Sequence, residues 1–188
     1  MKKRLSDMTL EELWQLFPIF LTPNKPCWDT WYREELKQLQ ELLSTTEIVR
    51  ISHIGSTAIK TIYAKPIIDI LVETVSDSNW NRIQETLLQN GYLCMSESER
   101  RLSFNKGYTE EGFAHKVYHL HLRYAGDHDE LYFRDYLNEF PQIANQYEKL
   151  KLRLWKLYEH NRDAYTEGKT AFINHYTQEA KQYYGKIY

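Results

Sequence analysis

His53-Ile54-Gly55-Ser56-Thr57 and, a short gap later, Lys65-Pro66-Ile67-Ile68-Asp69-Ile70 carry the chain from one strand, through a glycine turn, into the next. Ile48, Val49, Ile51 and Ile54 are β-branched and suit a strand over 47–54. Residues 67–75 form a more apolar run, which predicts a strand inside the sheet with both faces covered. Between them, Gly55 lets the backbone approach a ligand closely, and Ser56 and Thr57 offer hydroxyl and N–H groups at the start of a short helical segment. That is a sensible phosphate cradle. Asp69 sits within the apolar run, where a carboxylate is costly unless it faces a wet site, a metal or a partner. Gly55-Ser56 also reads as a plain strand-to-helix turn and Asp69 as a satisfied structural acid; local sequence leaves both readings open.

Working outward, Thr9 with Glu12 suggests a capping box for a helix carrying Leu10, Leu13, Trp14 and Phe17, ended by Pro18. Trp28, Trp31, Tyr32, Leu36, Leu39 and Leu43 recur at helical spacing. A helix over 80–90 is expected, with Ser78 as its cap and Gly91 just past its end. Residues 92–104 and 113–124 supply further strands. From His128 the pattern is helical, broken at Pro141, with stripes through Phe133, Tyr136, Leu137 and Phe140, then Ile143, Tyr147, Leu150 and Leu154, then Tyr165, Phe172, Ile173 and Tyr176. The expected architecture is mixed α/β (α+β): N-terminal helices over 1–45, a sheet core over 46–125, and C-terminal helices over 126–188, in one domain. No internal repeat and no linker argues for two.

Composition narrows the function classes. The 24 Lys+Arg against 26 Asp+Glu give a net charge of −2, which removes the broad electrostatic case for nucleic acid or an anionic membrane. The N-terminal Met1-Lys2-Lys3-Arg4 is basic, but no apolar stretch follows it, and no window approaches a membrane span. Cys27 and Cys94 fit no zinc pattern. A cytoplasmic protein is expected. The 15 tyrosines fall mostly on helix stripes, where a ring buries area and its hydroxyl finds a partner at the rim.

Gly-Ser followed by a strand aspartate resembles the signature of the nucleotidyltransferase superfamily, and the fuller string HIGST…AKPIIDILV resembles the GrpB (UPF0157) family. Three further stretches resemble that family in the same order: His119-Leu120-His121-Leu122, Phe133-Arg134-Asp135-Tyr136-Leu137, and Tyr165-Thr166-Glu167-Gly168-Lys169-Thr170-Ala171-Phe172-Ile173. The resemblance implies a nucleotidyltransferase-like mixed sheet flanked by helices. It also implies a small-molecule partner, a nucleoside triphosphate, held at Gly55, Ser56 and Thr57, with a divalent ion, Mg²⁺ or Mn²⁺, on Asp69. An acceptor hydroxyl or amine would attack the α-phosphate and pyrophosphate would leave.

The chain departs from this pattern. Two-metal chemistry uses a second carboxylate at i+2, on the same side of the strand; here that position is Leu71. Glu73 shares the face, but four residues along a strand is roughly 13 Å. Ser52 replaces the glutamate that commonly precedes His53 in the family, and Ile59-Lys60-Thr61-Ile62 replaces its Val-Pro-Gly-Leu. His119 and His121, at i and i+2, project to one face while Leu120 and Leu122 enter the core, with His115 in the same phase. If their strand adjoins that of Asp69, two imidazoles and a carboxylate suit a transition metal such as Zn²⁺, with Asp69 and His121 as ligands; a solvent-facing His-x-His is the alternative. Lys169 falls on a core-facing stripe and, with Lys65 and Arg134, is a candidate counter-charge for a phosphate. The competing roles are ion pairs of the lysines with Asp69 or Glu167, and pairing of Arg134 across helices. Two rival functions accompany nucleotidyl transfer: a nucleotide-binding module without turnover, and a metal-dependent phosphoesterase built on Asp69, His119 and His121.

Overall fold

The computed structural model describes residues 3–188, so Met1 and Lys2 of the basic N-terminal run lie outside the described residues. In chain order the elements are α1 (Leu10–Leu16), α2 (Cys27–Leu42), β1 (Ile48–Ile54), β2 (Ile68–Thr74), α3 (Trp80–Gln89), β3 (Leu93–Ser98), β4 (Arg101–Thr109), β5 (Gly112–Tyr124), α4 (Asp129–Glu139), α5 (Pro141–Tyr158) and α6 (Arg162–Tyr184). The expected capping box opens α1: Thr9 Oγ1 accepts from Glu12 N–H, and the Glu12 carboxylate accepts from Thr9 N–H. Two expectations shift. Asn79, not Ser78, caps α3, because its side-chain oxygen accepts from Arg82 N–H. Residues 92–104 are not one strand but parts of a hairpin, β3 and β4, turning at Glu99-Arg100 where no glycine or proline marks the reversal. Among the described residues no helix is long and apolar enough to cross a membrane.

The strands form one sheet in the order β1-β2-β5-β4-β3, antiparallel except for the parallel β2–β5 pair. Period-two alternation then assigns the two faces. Ile68, Ile70, Val72, Tyr118, Leu120 and Leu122 join Trp28 and Leu39 of α2 and Ile83 and Leu87 of α3 in the main core. The other face of β2 and β5 presents Asp69, Leu71, His119 and His121 toward the C-terminal helices. These bury a second core, in which Phe133, Tyr136 and Leu137 of α4 meet Ala144 and Tyr147 of α5 and Ala180 of α6. Tyrosines supply much of the packing there, as the helix stripes suggest.

A bulge decides which side chains reach the second face. Register slips between Lys106 and Tyr108: Lys106 pairs with Tyr118, but Tyr108 pairs with Phe113. Lys106 therefore reaches Glu35 of α2 at 2.6 Å, whereas Tyr108, two residues on, crosses to the opposite face and bonds His119. The same slip takes His115 out of phase with His119 and His121; it is exposed and meets the ring of Trp31 on α2, 5.1 Å between centroids. Gly107 sits at the slip with φ +90°, and a Cβ there would lie 2.3 Å from the Lys116 carbonyl oxygen. Gly107→Ala is expected to lower stability by about 2 kcal/mol or more, from left-handed backbone strain and the clash together. Urea denaturation checks this, and an unchanged midpoint would show that the bulge tolerates a side chain.

Candidate functional site

Parallel pairing places Asp69 opposite His119 and Leu71 opposite His121, so the aspartate lies between the two imidazoles. His119 Nδ1 is 3.3 Å and His121 Nε2 3.7 Å from Asp69 Oδ1. Behind the carboxylate lies Gly55, whose φ of +71° turns the chain out of β1; a Cβ there would come within 2.3 Å of Asp69 Oδ2. Gly55 is therefore required twice, by its backbone angle and by the acid seated against it. Burial pushes the Asp69 carboxyl up, but bonds and charge from His119 and His121 outweigh this and hold it well below the usual carboxylate range. Burial lowers His119 as a base despite Asp69, so it is a neutral ring at neutral pH that donates from Nδ1 and accepts at Nε2 from the Tyr108 hydroxyl, 2.8 Å away.

Ser56–Ala58 form one 3₁₀ turn whose first bond runs from Ala58 N–H to Gly55 O, so the N–H groups of Ser56 and Thr57 precede it with no acceptor inside the turn. Thr57 is buried and spends its hydroxyl structurally, donating to Ile67 O at 3.1 Å and meeting His53 Nε2 at 3.0 Å. His53 stacks on Tyr32, 4.7 Å between centroids, and burial pushes it down to about 4, so it too is neutral.

Asp69, His119, His121, Gly55, Ser56 and Thr57 all line one cleft of about 570 Å³ between the sheet face and helices α4, α5 and α6. Lys65 and Lys169 line it as well, and neither forms an ion pair among the described residues. Instead their ammonium groups approach the same aromatic ring, 5.5 and 4.4 Å from the centroid of Tyr165. Arg134 does not line the cleft. Its guanidinium donates to His53 O of β1 at 2.9 Å and to the adjacent Asp135 at 2.6 Å, bonds to the sheet and to its own helix and not a pairing across helices. Glu73, on the same face as Asp69, is committed to Arg50 and to His128, 2.8 Å away.

Two further cations complete the basic end. Lys151 is 1 % exposed, donates to Tyr63 O and lies 4.8 Å from the Tyr147 centroid. Arg162, the first residue of α6, also lines the cleft. Sequence reading passed over both. Lys151 had a signal, since it falls four residues after Tyr147 and three before Leu154 on the buried stripe of α5; Arg162 had none. Burial, with mutual repulsion, pushes Lys65 and Lys151 down to about 7 and Lys169 to about 8. Elsewhere in the lining, Arg101 forks onto Asp127 with two bonds of 2.7 Å, Asp129 meets Lys181 at 2.6 Å, and Glu130 lies 3.8 Å from Arg123.

A resident divalent ion does not fit these residues. No group of three or more His, Cys, Asp or Glu among the described residues is arranged to hold one. Both nitrogens of His119 are engaged, and Leu71, in the position of the second carboxylate, is fully buried with Ile54 and Leu131. His121 keeps one free atom: its Nδ1 is buried without a partner.

The five-stranded mixed sheet, with helices on both faces, defines a nucleotidyltransferase-like fold. It matches a crystal structure of the Cid1 poly(U) polymerase with MgGTP at a TM-score of 0.50 and 12% identity, covering 78% of this chain and 45% of that one. Within that class the chain belongs to the GrpB protein family, matched over residues 18–179. It is 33% identical over 159 residues to the UPF0157 protein YqkA of Bacillus subtilis, covering 83% of this chain and 45% of that protein. It is 34% identical over 162 residues to the glutamate-rich protein GrpB of Alkalihalophilus pseudofirmus, covering 83% of this chain and 92% of that protein. The crystal structure of GrpB from Enterococcus faecalis superposes with a TM-score of 0.77 at 30% identity, covering 88% of this chain and 99% of that one.

The Gly55–Asp69 contact makes a direct prediction. Gly55→Ala should destabilise the protein by about 2 kcal/mol or more, and by measurably less when Asp69 is already alanine, because one of its two causes is then gone. A double-mutant cycle by urea denaturation checks it; equal costs in both backgrounds would show that the acid does not press on the glycine.

Proposed function

We propose that the cleft binds the phosphate chain of a nucleoside triphosphate at its basic end. One observation carries the reading: Lys65, Lys151, Lys169 and Arg162 line one cleft, and no bonded carboxylate compensates Lys65 or Lys169. Gathering desolvated like charges is unfavourable without an anion, and a polyphosphate supplies several. The volume suits a small-molecule ligand, and Ile54, Phe133 and Ile173 give the cleft an apolar wall for the remainder of it. The Cid1 structure with MgGTP supports the nucleotide class through the shared fold.

The unpartnered Nδ1 of His121 favours nucleotidyl transfer over binding alone. Asp69 faces Nε2, which favours the tautomer protonated there and leaves Nδ1 able to accept a proton. An acceptor hydroxyl would give its proton to Nδ1, which is buried and comes within reach once the His121 ring turns toward the cleft, as its oxygen bonds to the α-phosphorus, and the bond to the pyrophosphate leaving group would break. Asp69 is a positioning residue here, held too acidic to be the base itself.

Nucleoside triphosphates should raise the melting temperature by mass action, and His121→Ala should retain that shift while losing pyrophosphate release. No shift with any nucleotide would overturn the binding reading. Stabilisation without pyrophosphate release across a panel of hydroxyl and amine acceptors would leave a binding module. A pH dependence follows from the lysines. Their folded pKa values of about 7 and 8 lie below the ordinary 10.5, so above pH 7 the unfolded chain holds more protons. Stability of the free protein should therefore rise with pH from about 7 toward 10. Nucleotide affinity should fall over the same interval, as the lysines facing Asp69, Glu148, His119 and Arg162 lose charge. Melting curves and titration calorimetry at several pH values read both trends.

A further inference from the structure

We infer that the cleft takes its polyphosphate ligand free of any divalent ion, with the fixed cations Lys65, Lys151, Lys169 and Arg162 in the place of the metals. This rests on the phosphate reading above. The argument is one of substitution on a single face. A metal site in this fold needs carboxylates that bind ions, which then neutralise phosphate oxygens. Here the strand offers two carboxylates and neither is free for an ion: Asp69 is bracketed by His119, His121 and Gly55, and Glu73 is committed to Arg50 and His128. The next residue on its face, Leu71, is sealed into an apolar cluster with Ile54, Leu131 and Tyr188.

Charge of the required sign is nonetheless present, carried by side chains from three different segments. Lys65 precedes β2, Lys151 is buried in α5, and Lys169 lies on α6 with Arg162 at its start. The rings of Tyr165 and Tyr147 hold the three ammonium groups at 4.4–5.5 Å, a contact that stabilises a desolvated cation but neutralises none of its charge. A ligand already carrying Mg²⁺ would bring less negative charge to this end of the cleft, and the ion itself would face the lysines. The structure thus favours the bare anion over its metal complex.

Inorganic tripolyphosphate is the probe, added to the full chain in EDTA and then in excess Mg²⁺ or Mn²⁺. The expected result is a rise in melting temperature in EDTA that shrinks when the metal is added, with at least tenfold weaker binding for Lys169→Met and retention in Lys169→Arg. Lys65→Met is the second variant, and each methionine variant should melt no lower than the parent without ligand, since it removes a repelling buried charge. A shift that appears only with Mg²⁺ or Mn²⁺, or unchanged affinity in both methionine variants, would overturn the inference and leave the phosphate reading standing. No shift under either condition would overturn both.

Discussion

The Asp69 carboxylate is a full negative charge drawn into the sheet, and the surrounding structure is arranged to keep it ionised. The parallel β2–β5 register puts His119 beside it and His121 one step along, both on the face that the helices cover. Gly55 gives up its side chain so that the carboxylate can lie against the turn. The bulge at Gly107 brings the Tyr108 hydroxyl across the sheet to hold the far side of His119. Several features that look like separate oddities in the sequence, two glycines, a His-x-His strand and a bulge, thus meet on one acid.

The same charge has a second role. Asp69 is an anion facing the lysine cluster, and its field raises the pKa of Lys65 and of Lys169 against burial and mutual repulsion. It offsets only part of that repulsion, and the remainder is what a phosphate chain would satisfy. Anchoring of the acid and binding of the anion are therefore coupled: without Asp69 nothing on this strand offsets the repulsion among the cations, and without the cations the acid has only two imidazoles for company. The lining residues Arg101 and Asp129, by contrast, each have a partner of opposite charge, Asp127 and Lys181.

Much of this was legible in the chain because strand alternation is a strict rule. Asp69, His119 and His121 could be assigned to one face of their strands by counting, while their being neighbours depended on the β2–β5 pairing that the structure shows. Alternation failed at His115, because a bulge changes the count and Gly107 alone does not announce one. The α3 cap moved by one residue, from Ser78 to Asn79, since either side chain can accept the bond. Lys151 was passed over, although its helical spacing from Tyr147 and Leu154 marks it as inward-facing. Arg162 and the free Nδ1 of His121 depend on how α6 and β4 pack, and nothing local encodes that. Two roles were open to Arg134, a counter-charge for a phosphate or a pairing across helices, and its guanidinium is spent on the carbonyl of His53.

The central claim is that the lysines of this cleft are desolvated cations whose charge Asp69 and Glu148 offset only in part. Isotope-labelled lysine NMR, following the side-chain signals against pH, tests it most directly. The account predicts that Lys65 and Lys151 titrate near 7 and Lys169 near 8 in the free protein, and that all three move upward when tripolyphosphate is added. Lysines that titrate near the ordinary 10.5 and ignore the anion would contradict it.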